Sequence, residues 1–549
     1  MVSTIEESAD LILKNGNIIT VNSKNPRCEA LAIRDKRIIK VGTSRDMDRF
    51  RASKVVDLQG KTVVPGFIDA HQHLLSYGIT IKTWVDAYET SNSEEIVDKV
   101  ADKVLSSPKG NWIAGRGWAE EKLEGNKLPT RWDLDKVAPE NPVTLKDISG
   151  HYCIANTMAL DLAGINKDTP QPQNGHIDQD TGSGMPNGIL RETAMNYIWD
   201  IVPQPTWDEM VEGIQLGCQH ANSLGLTSVH NCPFGLPWAV GFINKEIKAY
   251  VDLNRRGELS LRNYLLISVW EHFHRGNDTI MLDHLIGLGL KTGFGDSMLK
   301  IGPAKIFVDG SLNARSAALY QPYDDDPSTS GMLFYTEEQL DNVIEKAQKA
   351  GIQLAIHAHG DRAIDMALNS VERALVKYPQ KDHRHRIKHV ELLSDEQIMR
   401  IKKLGLIVTS IPSTAGFSNW YQDMARVRVG NERTRFLHRY KDLLDNGTVI
   451  IGGTDGHPAG KYLSPLQGLH DRITVAGFTL DQALAIQTSN SAFAAFEERD
   501  KGTIEEGKLA DLVVLVQDPY AVQVDKIPDI KVEKTILGGT VVFDSSCDN

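Results

Sequence analysis

Between residues 206 and 452 the chain returns repeatedly to one pattern: a capped amphipathic helix, a glycine stop and a short apolar strand. Thr336-Glu337-Glu338-Gln339 is a capping box, in which the threonine hydroxyl accepts the N3 amide and Gln339 reaches back to the cap. Leu340, Val343, Ile344 and Ala347 follow at helical spacing, Gly351 marks the stop, and an apolar strand is predicted over 353–356. Ser394-Asp395-Glu396-Gln397 opens a second copy carrying Ile398, Ile401 and Leu404, with Gly405 at its end and a strand predicted over 406–411. Thr206 to Glu209 opens a third, which ends near Gly225 before a strand at 227–230. A helix through Phe436, Leu443 and Leu444 stops at Asn446-Gly447, before a strand at 449–452. Successive βα units of this length require parallel strands, so the chain is α/β, either a barrel or an open doubly wound sheet. Neither a Gly-rich dinucleotide fingerprint nor a Walker A sequence occurs, which removes the usual signal of nucleotide-binding open sheets.

The two ends differ from this middle. Residues 1–64 and 500–549 hold short β-type runs separated by Asn-Gly, Asp-Lys and glycine turns, and are predicted to form one composite β domain around a 65–499 barrel. Hydrophobic residues at 41% and charged ones at 24% suit a soluble globular chain with a sizeable core. With 60 basic against 72 acidic side chains, the net charge of −12 gives no electrostatic basis for binding nucleic acid or an anionic membrane. The first residues, MVSTIEESADLIL, are acidic where an export signal is basic, and no run approaches the ~20 apolar residues that span a bilayer. The five cysteines are scattered without CxxC spacing. The expectation is a cytoplasmic protein acting on a small molecule, without nucleic-acid or membrane partners and compatible with a homodimer.

Polar side chains fall where these strands end. The run Thr62 to Ala70 leads into His71-Gln72-His73, and alternate residues of a strand face one side, so His71 and His73 can grip one metal ion. Lys305 lies in the run 300–307, close to Asp309; 353–356 leads into His357-Ala358-His359; 386–388 leads into His389; and 449–453 leads into Thr454-Asp455. Taking ~30 residues per βα unit, these intervals place His357, His389 and Asp455 on strands five, six and eight if Lys305 is on strand four. The stretch from His71 to Lys305 exceeds three such units by ~140 residues, which predicts an insertion over 78–205 lying as a lid on the catalytic face.

Each feature has a plainer explanation when taken alone. Paired histidines at this spacing occur four times, at His71/His73, His272/His274, His357/His359 and His383/His385. The last pair lies in a basic loop and is expected to be solvated, whereas His272/His274 follow a predicted strand and compete as ligands. A single buried histidine is usually a hydrogen-bonded core residue, and a strand-end aspartate is often a helix cap. Lys305 could serve only an ion pair with Asp309. Those explanations do not account for five such features in register.

Through VVPGFIDAHQH, KIFVDGSLNARSAAL, IHAHGDRAID, IKHVELLS, GGTDGHP and GTIEEGKLADLVVL, the chain resembles the metal-dependent amidohydrolase superfamily, specifically its YtcJ-like branch, which includes N-substituted formamide deformylases. The resemblance implies a distorted (β/α)8 TIM barrel, a small β-sandwich made from both termini, and a centre of one or two zinc-type divalent ions at the C-terminal strand ends. It implies His71 and His73 as first-strand ligands, Lys305 as the fourth-strand lysine that carbamylation converts to a bridging ligand, His357 and His389 as the fifth- and sixth-strand ligands, and Asp455 as the catalytic carboxylate. The position of His359 is commonly apolar in that motif, which makes His359 an extra candidate to replace His357 or to contact substrate.

Imidazoles and carboxylates suit zinc-like ions, which acidify a bound water toward pKa ~7. Asp455 would take its proton and return it to the leaving amine. Asp309, Arg315, His230 and His151 are candidates to orient substrate, Arg315 through its planar fork, although each could equally stabilise a loop. Trp84, Trp112, Trp118 and Trp132 would form a pocket wall or the insertion's own core. The expected reaction is hydrolysis of a C–N bond in a small amide, formamide or cyclic amide. Ester hydrolysis, deamination or decarboxylation at the same centre are alternatives, as is a regulatory relative without turnover. The joint presence of Lys305 and Asp455 argues against the last.

Overall fold

Eight parallel strands follow one another around the middle of the chain in sequence order: β1 (Phe67–Gln72), β2 (Leu226–Asn231), β3 (Arg262–Ser268), β4 (Leu299–Phe307), β5 (Leu354–Ala358), β6 (Arg386–His389), β7 (Ile407–Ser410) and β8 (Ile450–Gly452). The computed structural model describes residues 7–173, 175–232, 242–269, 280–411, 419–455 and 464–547. Every residue of β2, β3, β5, β6, β7 and β8 is buried, as expected for barrel strands covered outside by the crossover helices and inside by one another's side chains. The barrel closes by single contacts in place of a regular ladder. The Thr454 and Asp455 amides, just past β8, both donate to the His71 carbonyl on β1, at 3.2 and 2.8 Å. Gly453 permits this approach, since a Cβ there would lie 2.5 Å from the His71 Cβ. This is a distorted TIM barrel.

The sequence signals for the crossover helices correspond to formed caps. Thr206 with Glu209, Thr336 with Gln339, and Ser394 with Gln397 each make a capping box, opening helices Trp207–Ser223, Glu337–Lys349 and Asp395–Lys403. Leu340, Val343, Ile344 and Ala347 lie in the buried core between helix and barrel.

The chain ends meet in two further sheets. One contains strands Glu7–Lys14, Ala30–Arg34, Arg37–Gly42 and Phe50–Asp57; the other joins Asn17–Ile19, Arg27–Cys28 and Thr62–Pro65 to Leu512–Leu515, Val532–Leu537 and Thr540–Asp544. Leu11, Leu31 and Ile33 from the first sheet pack with Val63, Leu512 and Ile536 from the second. Between helices Leu74–Thr83 and Trp207–Ser223 the chain forms another six-stranded sheet. Trp118 belongs to the interior of that insertion, its indole donating to the Leu145 carbonyl at 3.1 Å. Trp132 is 40% exposed, while Trp84 reaches the barrel mouth.

His383 and His385 require a correction. Both are buried: His383 Nε2 donates to the Leu404 carbonyl at 2.9 Å, and His385 Nδ1 accepts the Leu354 amide at 3.1 Å. They fasten the start of β6 to its neighbours, a role that a charged local sequence conceals. His272 and His274 lie outside the described residues. Among the described residues no helix is long and apolar enough to cross a membrane.

Candidate metal centre

Asp69 locks the barrel seam. Its carboxylate accepts the amides of His71 at 2.9 Å and Thr454 at 3.1 Å, together with the Thr454 hydroxyl. Burial pushes its carboxyl up to about 6. The lock brings Asp455, in the left-handed region at φ 61°, onto the two first-strand histidines. Asp455 Oδ1 lies 2.8 Å from His71 Nε2 and 3.0 Å from His73 Nε2. Burial would raise the Asp455 carboxyl, but the two histidines hold it well below the usual range. Burial lowers both histidines, with the Lys388 ammonium adding to the effect at His71. His73 Nδ1 lies 3.1 Å from the Cys232 carbonyl, which can only accept. In neutral His73 that contact places the proton on Nδ1 and turns the Nε2 lone pair toward Asp455.

A second group lies at the ends of β5 and β6, and two of its members, His357 and His389, line the same pocket. His357, His359 and His389 each offer a ring nitrogen within 4.8 Å of the others, as do His71, His73 and the Asp455 carboxylate. The rings of His359 and His389 stack at 4.1 Å. His357 Nε2 donates to the Gly310 carbonyl at 3.1 Å, leaving Nδ1 as its base. His359 Nδ1 lies 3.0 Å from Glu391 Oε2, and Tyr421 donates its hydroxyl to the same carboxylate at 2.7 Å. His389 and Val390 both have positive φ, 69° and 46°, in a backbone held by the Tyr440 hydroxyl donating to the His389 carbonyl at 2.7 Å. His389 Nε2 is buried and has no hydrogen-bond partner among the described residues.

Lys305 completes the pocket floor. It is 1% exposed, its ammonium sits 4.4 Å from the Phe307 ring centre, and Nζ has no hydrogen-bond partner among the described residues. Burial lowers its pKa to about 8. His71, His73, Lys305, His357, His389 and Asp455 line one pocket of about 650 Å³, counting the open space at its mouth. The insertion supplies the facing residues Arg116, Lys146 and His151.

The other sequence candidates occupy different positions. His151 reaches the pocket and pairs Nδ1 with Glu192 at 3.0 Å; burial alone would lower it, but the Glu192 carboxylate prevails and raises it. Asp309 accepts the amides of His359, Gly360 and Ala318 at 2.9–3.0 Å, so it shapes the turn after β5. His230 is buried in the barrel, accepting Arg386 Nη1 at 2.8 Å. Arg315 ion-pairs with Asp325 at 2.8 Å. Sequence reasoning missed Lys388, whose ammonium contacts His71 Nδ1, along with Asp69 and Glu391. Period-two alternation gives no sign of Lys388, which precedes a ligand candidate, whereas Asp69 lies two residues before His71 on the same strand.

The amidohydrolase family matches residues 54–543. Putative amidohydrolase YtcJ of Bacillus subtilis is 29% identical, covering 97% of this chain and 99% of that protein. N-substituted formamide deformylase of Arthrobacter pascens is 30% identical, covering 97% and 98%. Among solved structures, an uncharacterized metal-dependent hydrolase from Pyrococcus furiosus is 30% identical with a TM-score of 0.69, covering 93% of this chain and 99% of that one. Near-complete coverage in sequence and in structure agrees with the closed barrel and its strand-end histidines, and the chain therefore belongs to the amidohydrolase family.

Proposed function

We propose that the chain is a metal-dependent hydrolase that cleaves the C–N bond of a small amide, formamide or cyclic amide. One observation carries the reading: His71, His73 and Asp455 face one pocket at the strand ends together with His357 and His389, and His359 offers a further ring nitrogen within 4.8 Å of those of His357 and His389. The donors suit a zinc-like ion. In neutral His73 the Nε2 lone pair confronts a carboxylate oxygen at 3.0 Å, a contact between two acceptors that a cation relieves. The unpartnered His389 Nε2 is a donor atom of the same kind.

His71, His73 and Asp455 would hold one divalent ion, and His357 and His389, with His359 in reach, a second; ions bound there would supply the positive charge that acidifies water and polarises a scissile carbonyl. Lys305, if carbamylated, would add an anionic oxygen ligand to the same pocket. Asp455 takes the proton of the attacking water and delivers it to the leaving nitrogen. His151, held by Glu192, orients the carbonyl oxygen, while Asp309 and His230 act by position, through the β5 turn and Arg386. The deformylase relative supports the amide class, because that protein's name specifies a formamide bond.

The test is metal analysis coupled to a panel of N-formyl compounds, N-acetyl compounds and lactams. The expected result is at least ~0.5 zinc-type ion per chain, with turnover that chelation removes and metal restores. A metal-replete protein that hydrolyses esters but no amide or lactam would contradict the C–N assignment.

A further inference from the structure

Arg116 and Lys146 sit directly opposite each other on adjacent parallel strands of the insertion sheet, Ile113–Trp118 and Val143–Asp147. Their side chains therefore leave the sheet on one face, and both line the pocket that holds Lys305 and Asp455. Lys146 is 5% exposed, with its ammonium 4.4 Å from the Trp199 ring centre and no ion pair or hydrogen bond among the described residues. Arg116 gives Nη2 to the Ile148 carbonyl at 3.2 Å, while its Nε is buried without a partner.

The nearby carboxylates are committed elsewhere. Asp86, in register on the other side of Arg116, accepts the Tyr88 amide at 3.0 Å. Asp147 accepts from Ser149, Tyr152 and Asn313, and Asp455 is held by His71 and His73. Like charges directly opposite on neighbouring strands destabilise a sheet, and an unpaired buried ammonium adds a desolvation cost. Burial, with Arg116 beside it, lowers Lys146 to about 7. Among the described residues neither cation forms an ion pair, and both stand at the wall of the pocket proposed to bind substrate.

We infer that Arg116 and Lys146 form a carboxylate-binding subsite, and that the amide cleaved here bears a carboxylate, as an N-acyl amino acid does. A guanidinium fork beside an ammonium matches the two oxygens of that group, and the bound anion would pair with both cations. This deepens the hydrolytic reading and rests on it for the bond cleaved, but not for the anion bound.

The experiment titrates metal-loaded protein calorimetrically with N-acetylglycine and with N-acetylglycinamide, close isosteres that differ by one charge. The acid is expected to bind about tenfold tighter or more, and Lys146→Met or Arg116→Gln to reduce that advantage to within about twofold. Equal binding of the two probes by the native protein, or an advantage that survives both variants, overturns the subsite. Binding needs no turnover. Selective binding without hydrolysis therefore sinks the hydrolytic reading alone, whereas hydrolysis of neutral formamides with no preference for acids sinks the subsite alone.

Discussion

Asp455 and Glu391 separate two kinds of contribution to one centre. Asp455 touches the reacting atoms in the proposed mechanism, its Oδ1 2.8 Å from His71 Nε2 and 3.0 Å from His73 Nε2. Asp455→Asn preserves shape and removes the base, so turnover is expected to fall ~10²–10⁴-fold while elemental analysis still finds metal. Unchanged turnover would remove Asp455 from the proton transfers. Glu391 acts through His359, which it holds at 3.0 Å. Glu391→Gln is expected to weaken metal binding ~10–100-fold, read as a lower chelator concentration for half-removal. An unaltered chelator midpoint would leave His359 outside the ligand set. The difference in legibility between these residues has a physical origin. Asp455 and the histidines close their strands at unit spacing, so the sequence exposes them. Glu391 and Lys388 matter through contacts with residues distant in the chain or on neighbouring strands, for which one-dimensional periodicity has no signal.

At the scale of elements, stability and geometry are written in different residues. Ser394 caps helix Asp395–Lys403 and accepts the Gln397 amide, so Ser394→Ala is expected to cost about 1 kcal/mol and lower Tm without changing kcat. Gly453 governs the seam. Because a Cβ there would meet the His71 backbone nitrogen at 2.6 Å, Gly453→Ala is expected to push β8 from β1 and separate Asp455 from His71. Measured kcat should then fall by orders of magnitude with metal still partly bound, and a fully active variant would show that the seam tolerates displacement. The capped helices and their strands were readable in advance because capping and amphipathic spacing are local. The closure of β8 on β1 was not, since it consists of two backbone N–H hydrogen bonds to one carbonyl and a glycine at the contact.

Across the whole molecule, the terminal sheets and the barrel are joined by a buried ion pair. Arg262 at the start of β3 grips Asp511 at 2.7 and 2.8 Å, and both side chains are about 4% exposed. The pairing of strand Thr62–Pro65 with Leu512–Leu515 ties the two chain ends together just before β1 begins. Arg262→Met leaves a buried carboxylate uncompensated and is expected to cost about 3–5 kcal/mol, whereas adding Asp511→Leu should recover most of that loss. Thermal or denaturant unfolding of the single and double variants checks this, and a double variant no more stable than the single would contradict it. Sequence patterning foretold strand-rich ends and surplus chain after β1. It did not foretell that the surplus presents two cations in register to the pocket, because strand pairing within the insertion is set by packing among Tyr152, Leu145 and Ile113.

The most direct test of the central claim is an anomalous difference map from crystals of the metal-replete protein, collected at the absorption edge of the bound ion. A peak is expected within coordination distance of His71, His73 and Asp455, with any second peak beside His357 and His389. A peak bound elsewhere in the chain, with this pocket empty of metal in a fully loaded protein, would contradict it.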